Sequence, residues 1–157
     1  NAALTAETVT AVDISRPALE NVERNARLNG LSNIQTRCGD VFEVLREYKA
    51  NGEKFSLVVL DPPAFCKSAA EVKDAFRGYK DINLLGMKLV KSGGFLATCS
   101  CSHYMTLPLF EKMLSEAAKE SGRRVRSVEM RSQAPDHPAL LNEEETQYLK
   151  FFILQIL

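Results

Sequence analysis

The stretch Phe55-Ser56-Leu57-Val58-Val59-Leu60-Asp61-Pro62-Pro63-Ala64-Phe65 decides how this chain is read. A short, largely apolar run bounded by turn residues reads as a buried strand. It ends in a carboxylate and two prolines. The prolines fix φ and remove two backbone donors, so the loop after the strand is stiff and its carbonyls stay free to accept. Further along, Gly94-Phe95-Leu96-Ala97-Thr98 leads in the same way into Cys99-Ser100-Cys101-Ser102-His103. In an open α/β sheet, ligands bind outside the carboxyl ends of the strands. Asp61 and the two thiols are therefore expected to face one crevice. That combination suggests a cysteine nucleophile acting on a planar base.

Outward from these loops, apolar runs alternate with helical patterns, the signature of a parallel α/β sheet. Residues 9–14 read as a strand. Ser15 caps a helix with Pro17 in its first turn, carrying Leu19, Val22, Ala26 and Leu28 as its apolar stripe and closing at Gly30. Residues 34–37 form a strand ending near Gly39-Asp40, and 41–48 a short helix stopped by Asn51-Gly52. Residues 69–91 read as a long helix broken near Gly78 or Gly86, with a turn at 91–94 and a strand over 95–99. Residues 107–120 form a helix with Leu109, Phe110, Met113, Leu114 and Ala117 inward. The runs at 124–130 and 148–156 have no helix between them. They predict an antiparallel hairpin at the sheet edge, with 131–146 as a long loop of the kind that is usually functional or disordered.

Composition narrows the function classes. The chain has 157 residues, 45% hydrophobic and 25% charged, with zero net charge, which is ordinary for one soluble globular domain. With a pI near 6.9, nothing global advertises nucleic acid, and any such contact must be local. No apolar run approaches the roughly 20 residues of a membrane span, and no signal peptide is visible. Four cysteines without a secretory signal read as reduced cytoplasmic thiols.

Several residues carry candidate chemistry beside a plainer reading. Asp13 ends the first strand, where an acidic residue can accept from both ribose hydroxyls of a nucleoside cofactor; the plainer role is a charge favoured by the helix dipole. Asp40 could accept from an adenine amino group, with Val41 or Phe42 against the ring, and equally serve as an N-cap. Phe65 offers a stacking face or a core ring. Cys99, Ser100, Cys101, Ser102 and His103 read as a small-residue strand end or a nucleophile, whose thiolate His103 and the helix starting near Thr106 could favour. A zinc site would need four ligands, and no second cysteine pair stands at finger spacing. Cys66 could approach the site, Cys38 reads as strand core, and His137 as part of a turn held by Asp136. Lys67, Lys73, Arg77 and Lys80 form a basic stretch interleaved with acids, either a solvated face or an RNA contact.

Together these residues resemble the class I S-adenosylmethionine-dependent methyltransferases. More narrowly, they resemble the cytosine-5 methyltransferases of large-subunit ribosomal RNA. The likeness runs through Val12-Asp13-Ile14-Ser15, Asn25-Ala26-Arg27-Leu28-Asn29-Gly30, Gly39-Asp40-Val41-Phe42, Leu60-Asp61-Pro62-Pro63-Ala64-Phe65, Gly93-Gly94, Ser100-Cys101-Ser102, Asp136-His137-Pro138 and Tyr148-Leu149-Lys150. The first three are general to methyltransferases, and Asp-Pro-Pro-x-Phe with Ser-Cys-Ser is the specific part. The resemblance implies a Rossmann-like doubly wound sheet, mostly parallel, with a C-terminal antiparallel hairpin. It implies that Asp13 and Ile14 meet the cofactor ribose, Asp40 and Val41 the adenine, and Asp61 and Pro62 the space between cofactor and base. Pro63, Phe65 and Lys67 would face the substrate. Cys101 is the expected nucleophile from its Ser-Cys-Ser setting. Cys99 is the rival, because Thr98-Cys99-Ser100 resembles the Thr-Cys-Ser of other RNA cytosine-5 methyltransferases.

The family pattern opens with a strand and a glycine-rich loop, which this sequence lacks. The chain is thus expected to be a partial catalytic domain over 1–157, starting at the tail of the helix that follows that loop. The absent strand belongs between those ending at Asp13 and Asp61. Such a chain is expected to bind S-adenosylmethionine weakly alone and to pair its open edges in a homodimer. Competing readings are an amino-directed methyltransferase, which needs no thiol, and a non-catalytic RNA-binding remnant. RNA is the expected partner, the membrane is not, and the cytoplasm is the expected location.

Overall fold

A computed structural model describes residues 1–143 and 146–157. The expected loop at 131–146 thus lies partly outside the described residues, at 144 and 145. The chain forms two compact units, Asn1–Glu47 and Tyr48–Leu157, each carrying a sheet of its own.

In the first unit, β1 (Val9–Asp13) runs parallel to β2 (Ile34–Cys38), with Val9 opposite Ile34 and Asp13 opposite Cys38. The crossover is α1 (Arg16–Leu28). Ser15 Oγ accepts from Ala18 N at 3.3 Å, Pro17 sits in the first turn, and Gly30 beyond the end takes φ 65°. A left-handed residue there closes a helix without a Cβ penalty. Leu19 and Ala26 are buried, whereas Leu28, expected on the inner stripe, is 77% exposed. The α2 helix (Val41–Ala50) follows β2 and buries Val44 and Leu45. The N-terminal residues form a short 3-10 turn, Ala2–Leu4, where a helix tail was expected. Asn33 Nδ2 ties it down by donating to Ala3 O and Ala6 O at 2.9 and 2.8 Å.

The second unit orders its strands β3 (Phe55–Leu60), β4 (Val90–Ser100), β6 (Lys150–Ile156) and β5 (Val125–Arg131). Strands β3 and β4 are parallel, and β6 runs antiparallel to both β4 and β5. The C-terminal hairpin forms as expected, but its last strand lies inside the sheet and β5 takes the edge. The side chains explain this choice. Lys150, Phe152, Leu154 and Ile156 are buried on alternate positions of β6, a pattern that needs neighbours. Strand β5 carries Arg126, Glu129 and Arg131, and charged side chains suit an edge.

Two expectations change. The 91–94 segment is a bulge within β4 rather than a turn before it: Phe55 faces Val90 while Leu57 faces Phe95. Gly94 makes the bulge possible, since a Cβ there would stand 2.6 Å from Ser56 O. The long helix also remains unbroken. After a 3-10 turn at Ala69–Glu71, α3 (Val72–Leu89) passes through both glycines. Gly78 lies against the Phe65 ring, and Gly86 lets α3 sit on Leu60 and Leu96. Neither glycine is a stop, and Gly86 is a close-contact point. Strand β3 is less buried than its composition suggests: Leu60 is 4% exposed but Leu57 and Val59 are 49% and 61% exposed. The last helix, α4 (Leu107–Ser121), buries Phe110, Met113, Leu114 and Ala117.

Candidate functional site

Asp13 and Asp40 stand at neighbouring strand ends of the first unit, linked by Gly39 N donating to Asp13 O at 3.1 Å. Both side chains are exposed. Asp13 Oδ1 accepts from Ser15 N at 2.7 Å. Asp40 Oδ1 accepts from Phe42 N and Glu43 N at 2.8 and 3.3 Å, capping α2. Each carboxylate thus spends one oxygen on its own backbone. The second oxygen of each makes no hydrogen bond among the described residues, so capping and ligand binding are compatible. Ile14 is 73% exposed. Val41 and Phe42 are half-buried, and the Arg46 guanidinium lies 5.9 Å from the Phe42 ring centre.

In the second unit, the parallel register pairs Leu60 with Thr98. The next residue on each strand is therefore Asp61 on one and Cys99 on the other. Cys99 Sγ stands 3.0 Å from Asp61 Oδ1 and 3.7 Å from Leu60 O. Only the protonated thiol can donate to that carboxylate. Burial first, then the hydrogen bond to Asp61 and its negative charge, push the Cys99 thiol up to about 12. A thiol so held favours its protonated, donating form at neutral pH. Cys101 differs: it is exposed, two residues further on.

What surrounds Cys101 is fixed. Ser100 and Ser102 are 0% and 1% exposed on either side of it. Ser102 N donates to Ser100 Oγ at 3.3 Å. Ser102 Oγ accepts from Cys66 N at 3.3 Å and shares a 2.9 Å hydrogen bond with Tyr79 OH. Tyr79, fully buried in α3, also accepts from Phe65 N at 3.5 Å. Lys150 Nζ, from β6, donates to Ser102 O at 2.7 Å. The loops after β3 and β4, the first residue of β6 and helix α3 thus converge on one serine. Removing such a buried partner costs about 1–3 kcal/mol. Cys101 is held as an exposed residue between two buried serines.

The remaining sequence candidates divide. Pro62 is buried and Pro63 exposed. Phe65 is half-buried, with its ring 4.7 Å from that of Tyr79, so part of the expected stacking surface faces the core. Lys67 is exposed, and its backbone N donates to Glu71 Oε2 at 2.7 Å. Cys66 is buried near Ser68 O, and burial pushes its thiol up. Cys38, expected in the strand core, is exposed at the end of β2, with its Sγ 3.5 Å from Ile14 O. His103 packs against Tyr104 at 5.2 Å and bonds neither thiol among the described residues. His137 pairs with Asp136 at 3.1 Å in a turn closed by His137 N donating to Ala134 O. Of the basic stretch, Lys73, Arg77 and Lys80 line a groove with Phe76, Leu109 and Lys112, but Arg77 bonds Asp74 and Lys80 bonds Glu120. Among the described residues there is no cluster of three or more His, Cys, Asp or Glu side chains fit for a metal ion, and no helix long and apolar enough to cross a membrane. Tyr79 and Lys150 were not singled out from the sequence. A mid-helix tyrosine carries no signal there, and the Tyr148-Leu149-Lys150 run marked the place without a role.

The chain is 46% identical over 153 residues to the protein named ribosomal RNA large subunit methyltransferase I of Pseudoalteromonas atlantica, and 47% identical over 152 to that of Aeromonas salmonicida. These alignments take in 95% and 96% of the chain but 38% of either relative. Among solved structures, SMU.776, described as a proposed methyltransferase complexed with SAH, superposes with a TM-score of 0.83 over 97% of this chain and 40% of its own, at 18% identity. NSun6 from Pyrococcus horikoshii with SFG gives 0.69 over 94% and 41%, at 16% identity. These distant likenesses establish the α/β, Rossmann-like fold. An independent match to the family model described as a methyltransferase domain takes in residues 2–152, and the chain belongs to that family.

Proposed function

We propose that this chain carries the catalytic region of an S-adenosylmethionine-dependent enzyme that methylates C5 of a cytosine in large-subunit ribosomal RNA, with Cys101 as nucleophile. The observation that carries the reading is the division of labour between the two cysteines. Cys99 is occupied as a donor to Asp61, while Cys101 is exposed on a fixed turn. The names of the relatives support ribosomal RNA as the substrate.

S-adenosylmethionine, when bound, would supply the methyl group from its sulfonium sulfur, which would keep the C–S electron pair and leave as a neutral thioether. Asp13 and Asp40, each with one unengaged oxygen, suit its ribose hydroxyls and adenine amino group. Cytosine C5 is a poor nucleophile by itself. The Cys101 thiolate adds to C6, and the C5=C6 electron pair moves onto C5, which takes the methyl. A base then removes the C5 proton. The C–H electrons re-form C5=C6 and expel the thiolate, so the enzyme is regenerated. Asp61 keeps Oδ2 for the amino or protonated edge of the base, with Cys99 steadying Oδ1. The target base must leave its stack to reach these groups.

RNA containing 5-fluorocytosine tests the scheme, because fluorine at C5 blocks the last elimination and traps the adduct. In the presence of S-adenosylmethionine, a covalent complex on denaturing gels is expected for the wild type and Cys99→Ala, and none for Cys101→Ala. Loss in Cys99→Ala alone would reverse the two sulfurs. Methylated RNA without any trapped complex would favour the amino-directed reaction. Neither product nor complex would favour a non-catalytic RNA-binding role.

A further inference from the structure

Lys150 is a cation almost without water. Its residue is 6% exposed, and lysines are rarely buried unless paired. Its Nζ donates to Ser102 O and Tyr148 O, both at 2.7 Å. These are neutral carbonyls; they solvate the charge without cancelling it. No carboxylate pairs with Lys150 among the described residues. Burial lowers its tendency to hold a proton, and the one titratable group whose charge opposes this is Cys101. Cys99, opposite Phe151 on the same strand pair, is bonded to Asp61. The register explains the placement: Lys150 opens β6 directly opposite Ser100 on β4, one residue before Cys101.

We propose that Lys150 is a positioning residue for the Cys101 sulfur, clamping the Ser102 carbonyl beside it and serving as its counter-charge whenever that sulfur is an anion. The inference rests on the reading of Cys101 as nucleophile. The sulfur is anionic before its bond to C6 forms and again once re-formation of C5=C6 has broken that bond. It is a neutral thioether between. A fixed ammonium therefore attracts the sulfur's negative charge on both occasions, before attack and at expulsion. A structural lysine would supply the clamp alone. The arrangement follows the general rule that buried, perturbed groups gather where charge must be handled.

The test follows alkylation cysteine by cysteine, by mass spectrometry of peptides. With iodoacetamide at pH 7.5, Lys150→Gln is expected to slow modification of Cys101 at least five-fold and leave exposed Cys38 unchanged. Lys150→Arg, which keeps the charge, should recover most of the rate. Equal rates in wild type and a folded Gln variant would overturn the proposal. So would equal loss in Gln and Arg, which would mean that packing alone matters. A second measurement needs no variant. In the wild type, anionic iodoacetate should gain on neutral iodoacetamide at Cys101 by several-fold relative to N-acetylcysteine in solution; an equal ratio would overturn the counter-charge. These readouts are separate from methyl transfer. Should Cys101→Ala still form the trapped RNA complex, the nucleophile assignment fails while alkylation still reports on Lys150.

Discussion

At the scale of the residue, two thiols two positions apart have opposite characters, and the cause is the partner each meets. Cys99 is buried and donates to Asp61; Cys101 is exposed. This difference has a consequence for stability. The folded Cys99 thiol titrates near 12, against an ordinary value of 9.0. As pH rises through that interval, the unfolded chain loses this proton first. The folded state then holds more protons, so stability must fall with rising pH across the window. Cys99→Ala removes that contribution. Urea unfolding at pH 9 and pH 11 should show a smaller alkaline loss for the variant than for the wild type, other groups titrating alike in both. Equal losses would mean that Cys99 is not held protonated. The sequence contained both loops in full, from Asp61-Pro62-Pro63 to Cys99-Ser100-Cys101. It did not say which sulfur meets the carboxylate. That depends on Leu60 facing Thr98, a pairing between strands far apart in the chain, and a shift of one residue would exchange what faces Asp61.

At the scale of the element, α3 shows how one residue type serves two purposes along a helix. Glycine inside a helix costs about 1 kcal/mol relative to alanine, so each of its glycines calls for a reason. A Cβ at Gly78 would come no closer than 3.4 Å to the Phe65 ring, an ordinary contact. A Cβ at Gly86 would stand 3.0 Å from Leu60 and 3.2 Å from Leu96, both nearly water-free. Overpacking a core typically costs about 1–3 kcal/mol, which outweighs the helix gain. Gly78→Ala should therefore stabilise the chain by about 0.5–1 kcal/mol, and Gly86→Ala should destabilise it by about 1 kcal/mol. Thermal unfolding would separate them, since each kcal/mol moves the midpoint about 2–4 °C at this size. A shift of the same sign in both would refute the contact argument. The helix itself was legible in the sequence over residues 69–91. Its glycines were misread as breaks because composition says where helix propensity is weak, not what lies alongside. The place of β6 was hidden for a related reason. Its alternating Phe152, Leu154 and Ile156 declare a strand, but two neighbours rather than one are a tertiary fact.

At the scale of the whole molecule, the division into two units was not visible in the sequence. The boundary between Glu47 and Tyr48 falls inside α2, with no proline, glycine run or change of composition to mark it. The burial of each unit distinguishes them energetically. In Asn1–Glu47 the buried apolar residues are Ala3, Leu19, Ala26, Val44 and Leu45. Two are alanines, and the sheet has two strands, a size that is marginal in water without further packing. In Tyr48–Leu157 the core includes Tyr79, Ile82, Met87, Leu89, Phe110, Met113 and Ile156, each at most 2% exposed, around four strands. Each aromatic there buries about 150–250 Å², and at about 25 cal/mol per Å² one ring rivals several alanines. Local opening free energies follow buried apolar contact. Native-state amide exchange should therefore show β1 and β2 opening at a lower free energy than β4 and β6, with the central pair Leu96–Leu154 among the slowest amides. The proposed division of function makes the difference useful. The carboxylates offered to the cofactor belong to the weakly buried unit, so S-adenosylmethionine should raise protection in β1 and β2 more than in β4 and β6. Equal protection in both units without cofactor, or a cofactor effect confined to β4 and β6, would refute this ordering.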